Sequence, residues 1–334
     1  MLIGLAAGAL FLWLAAWSVD WHGVGRALAA ARIEMLAPIA LLLTAHYFFK
    51  ALRWRVLLAD SAAISPAFAM RLTMIGFFMN NIFPARIGEV ARPYLLSVNT
   101  PGASFPFALA TVVGDKLFDL LLNILTLLAL SFLLSVPTHV RIGLLVLVAA
   151  GFGLIGASLT AALIERRGAA GLEKGLAARI LALFGRHREG ARNALLGFAR
   201  GLATVSSARR AAAALAYSLL AFGCLGFAVC LMLSMMNLDP SLLTAVAVIG
   251  LGGIGFILPA PPTNAGTFHF FASAALSVTM AVGADEAFSF ALASHASQVV
   301  VVTALGAVSL IGLDWRRISR PLDEERKPEE LAPR

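Results

Sequence analysis

Apolar runs of helical length follow one another along this chain from Leu2 to Leu313. They are continuous rather than alternating, and rich in Leu and Ala, so they read as helices in lipid and not as barrel strands. The runs at 2–19, 36–57, 107–134, 141–163, 211–236 and 287–313 each come near or exceed the ~20 residues a helix needs to cross the hydrocarbon. Two further apolar stretches, 64–97 and 241–282, are interrupted at their centres by Pro, Gly and polar residues. The pattern predicts an all-α polytopic membrane protein. It is a helical bundle of about six full spans plus two broken, re-entrant hairpins in an inverted-repeat-like arrangement.

Composition strengthens this picture. The 334 residues are 60% hydrophobic and 13% charged, where a soluble domain carries about 25% charged residues. Mean hydropathy is +0.88. The two cysteines, Cys224 and Cys230, lie in one apolar run on different helix faces. They read as small buried residues rather than a disulfide or a metal site. The apolar N-terminus lacks a basic leader and reads as a retained first span.

The placement of charge sets the topology. Residues 165–210 hold ten Lys/Arg against three Glu, a local charge of +7. Such a loop stays in the cytoplasm. Lys50, Arg53 and Arg55 put the end of the second span on the same side, and Arg316, Arg317 and Arg320 do so for the last. Both termini are therefore expected in the cytoplasm. Counting crossings, 64–97 begins and ends inside, and 241–282 begins and ends outside. One transmembrane domain, 1–313, is expected: a first half of about 1–163, the basic connector 165–210 and a second half 211–313. The charged tail 314–334 reads as disordered. Within the connector, 172–204 is amphipathic, with Leu172, Leu176, Ile180, Leu183 and Phe184 at helical spacing and Arg/Lys opposite. That suits either an anionic inner leaflet or a hairpin packed on the bundle. No recognition module accompanies the basic charge, so no nucleic-acid partner is expected.

Charges inside membrane segments are costly and mark functional candidates. The densest set is Asn80, Asn81, Arg86, Glu89 and Arg92, at the first break. Arg86 and Arg92 suit a phosphate through forked hydrogen bonds. Glu89, three residues from each, either completes the site or neutralises the two arginines. Asp115 and Asp119 share a helix face at i, i+4, and Lys116 is spaced to pair with Asp119. Arg53 reads first as an inner-surface anchor beside Lys50, Trp54 and Arg55, and second as a headgroup contact. At the second break stand Asn264, Thr267 and His269, with His295 and Gln298 on the last span. No metal-ligand spacing, Walker A or Gly-x-Ser-x-Gly pattern is present, so no metal, cofactor or ATP hydrolysis is expected, and the reading leans away from an enzyme.

Four landmarks, in order, carry a family resemblance. They are Ala51-Leu52-Arg53-Trp54-Arg55-Val56-Leu57-Leu58, then Asn80-Asn81-Ile82-Phe83-Pro84-Ala85-Arg86-Ile87-Gly88-Glu89-Val90-Ala91-Arg92, then Val113-Gly114-Asp115-Lys116-Leu117-Phe118-Asp119, and last Pro262-Thr263-Asn264-Ala265-Gly266-Thr267-Phe268-His269. The chain resembles the lysylphosphatidylglycerol synthase transmembrane, or flippase-like, family. Two departures stand out. Asp115-Lys116 replaces the family's usual Glu-Arg. Thr263-Asn264 stands where the family has a Gly pair, and His269 where it has Glu.

The resemblance implies movement of a lipid between leaflets, without the soluble transferase domain of the bifunctional relatives. The expected substrate is a membrane lipid with a polar, anionic headgroup. Arg86, Glu89 and Arg92 would bind that group, Asp115, Lys116 and Asp119 would line or brace the path, and Asn264, Thr267 and His269 would complete the site. A membrane-embedded transferase on a polyprenyl or phospholipid substrate is the alternative. A further one is a non-catalytic partner of a lipid or envelope biosynthesis enzyme. Either that enzyme or a second copy of the chain is the expected protein partner.

Overall fold

The computed structural model describes residues 2–58, 63–83, 86–134, 138, 141–146, 149–150, 152–153, 156, 160, 188–255 and 261–312. Among them every regular element is helical. The named helices are α1 (Leu2–Ala16), α2 (Trp21–Ala29), α3 (Leu36–Leu58), α4 (Pro66–Ile82), α5 (Gly88–Asn99), α6 (Phe105–Leu133), α7 (Arg188–Ala203), α8 (Ala208–Met235), α9 (Leu242–Gly255), α10 (Thr267–Met280) and α11 (Ala284–Leu310).

Among the described residues four stretches are long and apolar enough to cross a membrane: Ile33–Leu58, Phe105–Leu133, Ala208–Met235 and Ala284–Leu310. They match four of the six expected spans to within a few residues. The expected span at 2–19 is instead the 15-residue α1 followed by α2, the two axes meeting at 85°. Asp20 makes that corner, because its carboxylate accepts from the backbone N–H of His22 and Gly23 and starts a new helix. Counted as one span, the pair brings the total to five. Eleven of the 23 residues of 141–163, all of 172–187 and the tail 314–334 lie outside the described residues.

The two interrupted stretches are helical pairs. α4 and α5 have 17 and 12 residues, or about 26 and 18 Å, short of the ~30 Å hydrocarbon core. α9 and α10 have 14 residues each. Ser65 caps α4 through the Phe68 N–H, with Pro66 in the first turn. At the first break Asn80 Oδ1 accepts from the Gly88 N–H at 2.8 Å, which satisfies a free donor at the start of α5. The arms touch at glycines: a methyl on Gly88 would sit 1.8 Å from the Gly76 carbonyl oxygen. Gly88→Ala is accordingly expected to destabilise the protein by about 2 kcal/mol, as overpacking does. A melting temperature in detergent equal to wild type would show that the arms separate freely.

Each pair has its own core, and α3 runs through both. Trp54, Leu58, Leu72, Ile75, Leu96 and Phe107 pack around α4 and α5. Ile39, Leu43, Met232, Phe268, Leu276 and Phe290 pack around α9 and α10. α8 lies along α3 through the buried Ala214, Ala221 and Ala228, spaced seven apart. Lipid offers no hydrophobic incentive for helices to associate, so small residues that admit close packing supply it.

The two ends differ in charge. At one end Arg71 donates to the carbonyls of Ser309 and Ile311, and Arg55 to that of Ile64. α7 packs there on α6, with Gly197 and Gly201 against Ser104 and Phe107. At the other end Asp20 N–H donates to Asp285, and Asn237 joins Ala30 to Arg32.

Candidate functional site

Three helices bring charge together inside the bundle. Arg53 on α3 is fully buried. Its Nε donates to Asp115 Oδ1 at 2.7 Å, and its Nη1 to Asp119 Oδ1 at 2.8 Å and to Ser218 Oγ of α8 at 3.1 Å. Lys50 Nζ lies 2.8 Å from Asp119 Oδ2. Arg92 on α5 donates through Nη1 to Asp115 Oδ2 at 3.2 Å. Lys116 pairs with Glu89 at 2.8 Å where both are partly exposed. Four cations and three carboxylates leave the cluster with one net positive charge.

Local sequence explains the convergence. Lys50, Arg53 and Trp54 share one face of α3, while Arg55 points elsewhere and is exposed. Lys50 and Arg53, expected as surface anchors, turn inward instead, because Asp115 and Asp119 stand one turn apart on α6. The expected Lys116–Asp119 pair does not form either. Lys116 projects toward α5 and takes Glu89, while Lys50 and Arg53 occupy both oxygens of Asp119. Nor does Glu89 pair with Arg92, which takes Asp115.

Arg92 is the unusual member. Its guanidinium carbon stacks 3.7 Å from the Trp54 ring centroid, and Trp54 is held by its own bond from Nε1 to Thr111 Oγ1 at 3.1 Å. The Arg92 stem packs over Gly76, where an added methyl would lie 3.4 Å from Arg92 Cβ and 3.2 Å from the Gly88 carbonyl oxygen. Its Nε and Nη2, the edge that grips carboxylates and phosphates by two parallel bonds, are buried with no hydrogen-bond partner among the described residues. An orphaned buried guanidinium edge is costly, and it aims at an acceptor the described residues do not supply. Thr73, Asn80, Glu89, Arg92, Lys116 and Asp119 line the adjoining cleft. That cleft is about 20 Å³, close to the room of one water.

The second break meets the first. Arg86, at φ 53°, reaches Asn264 Oδ1 with Nη2 at 3.4 Å. Thr267 and His269 face their own break instead. Thr267 Oγ1 donates to the Asn264 carbonyl at 3.0 Å, and His269 Nδ1 accepts from the Gly266 N–H at 3.2 Å. The His269 ring lies 4.7 Å from that of His295, whose Nε2 donates to the Thr263 carbonyl at 2.9 Å. Asn81 Nδ2 is buried without a partner among the described residues. Thus Arg53, Arg92, Glu89, Asp115, Lys116 and Asp119 form one cluster with Asn80 at its edge. Arg86 and Asn264 form the bridge, and Thr267 and His269 belong to the second break. Lys50, Trp54, Thr73 and Ser218 complete the site without having been picked for it. The i, i+3, i+4 spacing of Lys50, Arg53 and Trp54 was the available signal for two of them, and nothing in the sequence marked Ser218.

Thr263 and Asn264 have φ of 62° and 58°, where glycine sits without strain. A β-branched residue there costs about 1–2 kcal/mol, and glycine returns part of it through the entropy of the unfolded chain. Thr263→Gly is expected to raise stability by about 0.5–1 kcal/mol, read as a higher melting temperature. A lower one would mean the Thr263 side chain holds the break.

The family model described as the lysylphosphatidylglycerol synthase TM region matches residues 1–306. No curated protein and no solved structure matches the chain.

Proposed function

The chain belongs to the lysylphosphatidylglycerol synthase transmembrane family, and on that premise we propose that this multi-pass membrane protein moves a lipid with an anionic headgroup between leaflets. One observation carries the reading: the buried Nε/Nη2 edge of Arg92, without a partner among the described residues, within a cluster of net charge +1. A phosphate or carboxylate placed there would satisfy both donors and neutralise the cluster. Intramembrane charge that exceeds its own pairing is the mark of a substrate path rather than of a brace.

In this reading the two broken pairs are re-entrant, enter from opposite faces and form an inverted repeat whose breaks meet through Arg86 and Asn264. The basic end of the bundle faces the cytoplasm of a bacterial inner membrane, and residues 172–204 rest against its anionic leaflet. A cleft of about 20 Å³ is too small for a headgroup. The α4–α5 pair therefore swings from α6 during the cycle, opening the Glu89–Lys116 contact while the headgroup passes and the tails stay in lipid. The test is leaflet accessibility of fluorescent anionic phospholipids in proteoliposomes, comparing wild type with Arg86→Ala and Glu89→Ala. Wild type is expected to exchange the lipid between leaflets, and both variants to do so more slowly. Folded wild-type protein that moves none of these lipids, or equal rates in all three, would sink the proposal.

A further inference from the structure

A second cavity lies beside the charged cluster. It is a groove of about 180 Å³ between α6, α8 and α9, walled by Phe222, Gly223, Gly226, Leu242 and Ile249, with Thr126 the one polar residue among the described residues that line it. Its origin is in the sequence. Gly223 and Gly226 remove two side chains from one face of α8, and a Cβ added at Gly223 would meet nothing within 4 Å. The flanking Phe227 and Leu242 are 67% and 68% exposed, so the groove opens sideways onto the surface that faces lipid. An engineered cavity of ~150 Å³ holds a benzene ring, so this one has room for a segment of at least six carbons.

The groove continues from the charged cluster on two helices at once. On α8, Ser218, which binds Arg53, precedes Phe222 by about one turn. On α6, Asp115, Asp119, Asn123 and Thr126 fall on one face, and Thr126 lies about 10 Å beyond Asp119. Between them Asn123 reaches the Ile249 and Gly250 carbonyls of α9, close against Gly253. A polar stripe thus leads from the anion-gripping edge of Arg92 to the mouth of an apolar slot.

We propose that this groove seats one hydrocarbon chain of the transported lipid while its anionic group occupies Arg92; the inference rests on the lipid-transport reading above. A chain leaving bulk lipid for the groove gains no hydrophobic free energy, because the bilayer is equally apolar. Occupancy then depends on packing and on the tether to the bound headgroup, which raises the local concentration of the chain. The groove selects lipids by chain as the cluster selects them by charge, and its filling is coupled to Arg92.

The experiment uses the full chain in phosphatidylcholine vesicles doped with phosphatidylglycerol that carries a diazirine near the middle of one tail. After illumination the labelled residues are mapped by mass spectrometry, and leaflet exchange is measured on the same samples. The expected result is several-fold more label on Phe222–Phe227 and Ile249 than on Leu41 and Val300, which are 71% and 65% exposed. In Gly223→Leu, which fills the slot without touching the cluster, and in Arg92→Ala, the label falls to the level of those controls. Even labelling in wild type, or groove labelling that either variant leaves intact, overturns the proposal. Exchange with even labelling removes the groove and keeps transport. Groove labelling that responds to both variants without exchange keeps the groove and removes transport.

Discussion

Arg92→Ala is expected to slow anionic-lipid exchange on the order of 100-fold while the protein still folds. The estimate follows from the loss of two charge-assisted hydrogen bonds to the ligand, about 1.5 kcal/mol or more each, with 1.4 kcal/mol per factor of ten. The fold survives because Asp115 keeps its 2.7 Å bond from Arg53, and because the removed guanidinium carried two unsatisfied donors of its own. Arg92→Lys separates charge from geometry. Lysine restores the positive charge but neither the fork nor the flat stacking on Trp54. Its rate is expected to stay within about tenfold of the alanine variant. A lysine variant at full rate would mean that a point charge suffices and that the free edge is not the grip.

Arg53→Ala is expected to have the opposite profile, a large loss of stability. Arg53 is wholly buried and is the common partner of Asp115 and Asp119. Removing one member of a buried ionic group strands the others, at about 3–5 kcal/mol. Lys50 still covers Asp119 and Arg92 still covers Asp115, which holds the cost toward the lower end of that range. The diagnostic variant is the double substitution Arg53→Ala with Asp115→Asn. It removes the stranded carboxylate together with its partner, so it should melt above the sum of the two single losses. Simple additivity, or a single-variant loss below about 1 kcal/mol, would mean that water reaches the cluster and that the pair is worth no more than one at a surface. Together the two substitutions divide the cluster: Arg53 holds three helices in register, and Arg92 is held by them with one edge left over.

The chain's apolar runs determined the membrane class and four of the spans to within a few residues, because burial in lipid demands continuous stretches of a length set by the hydrocarbon. They also determined where α4–α5 and α9–α10 break, because Pro84, Gly88, Pro262 and Gly266 interrupt otherwise apolar segments. The candidate charges were visible for the same reason, since an ion in an apolar run is an exception that composition exposes. The partners were not. Spacing along one helix favoured Lys116 with Asp119, and Glu89 with Arg86 and Arg92, whereas the bundle joins Lys50 to Asp119, Arg92 to Asp115 and Lys116 to Glu89. Those choices rest on which helix faces meet, and so on glycines and alanines whose value lies in what they allow to approach. Gly76 and Gly88 let α5 touch α4, and Ala214, Ala221 and Ala228 let α8 lie against α3. The family resemblance also placed Thr263 and Asn264 in a glycine pair's position without a reason. Only the left-handed backbone at both residues supplies it, because a backbone conformation of that kind is imposed by the closure of the second break and not by the side chains that must bear it.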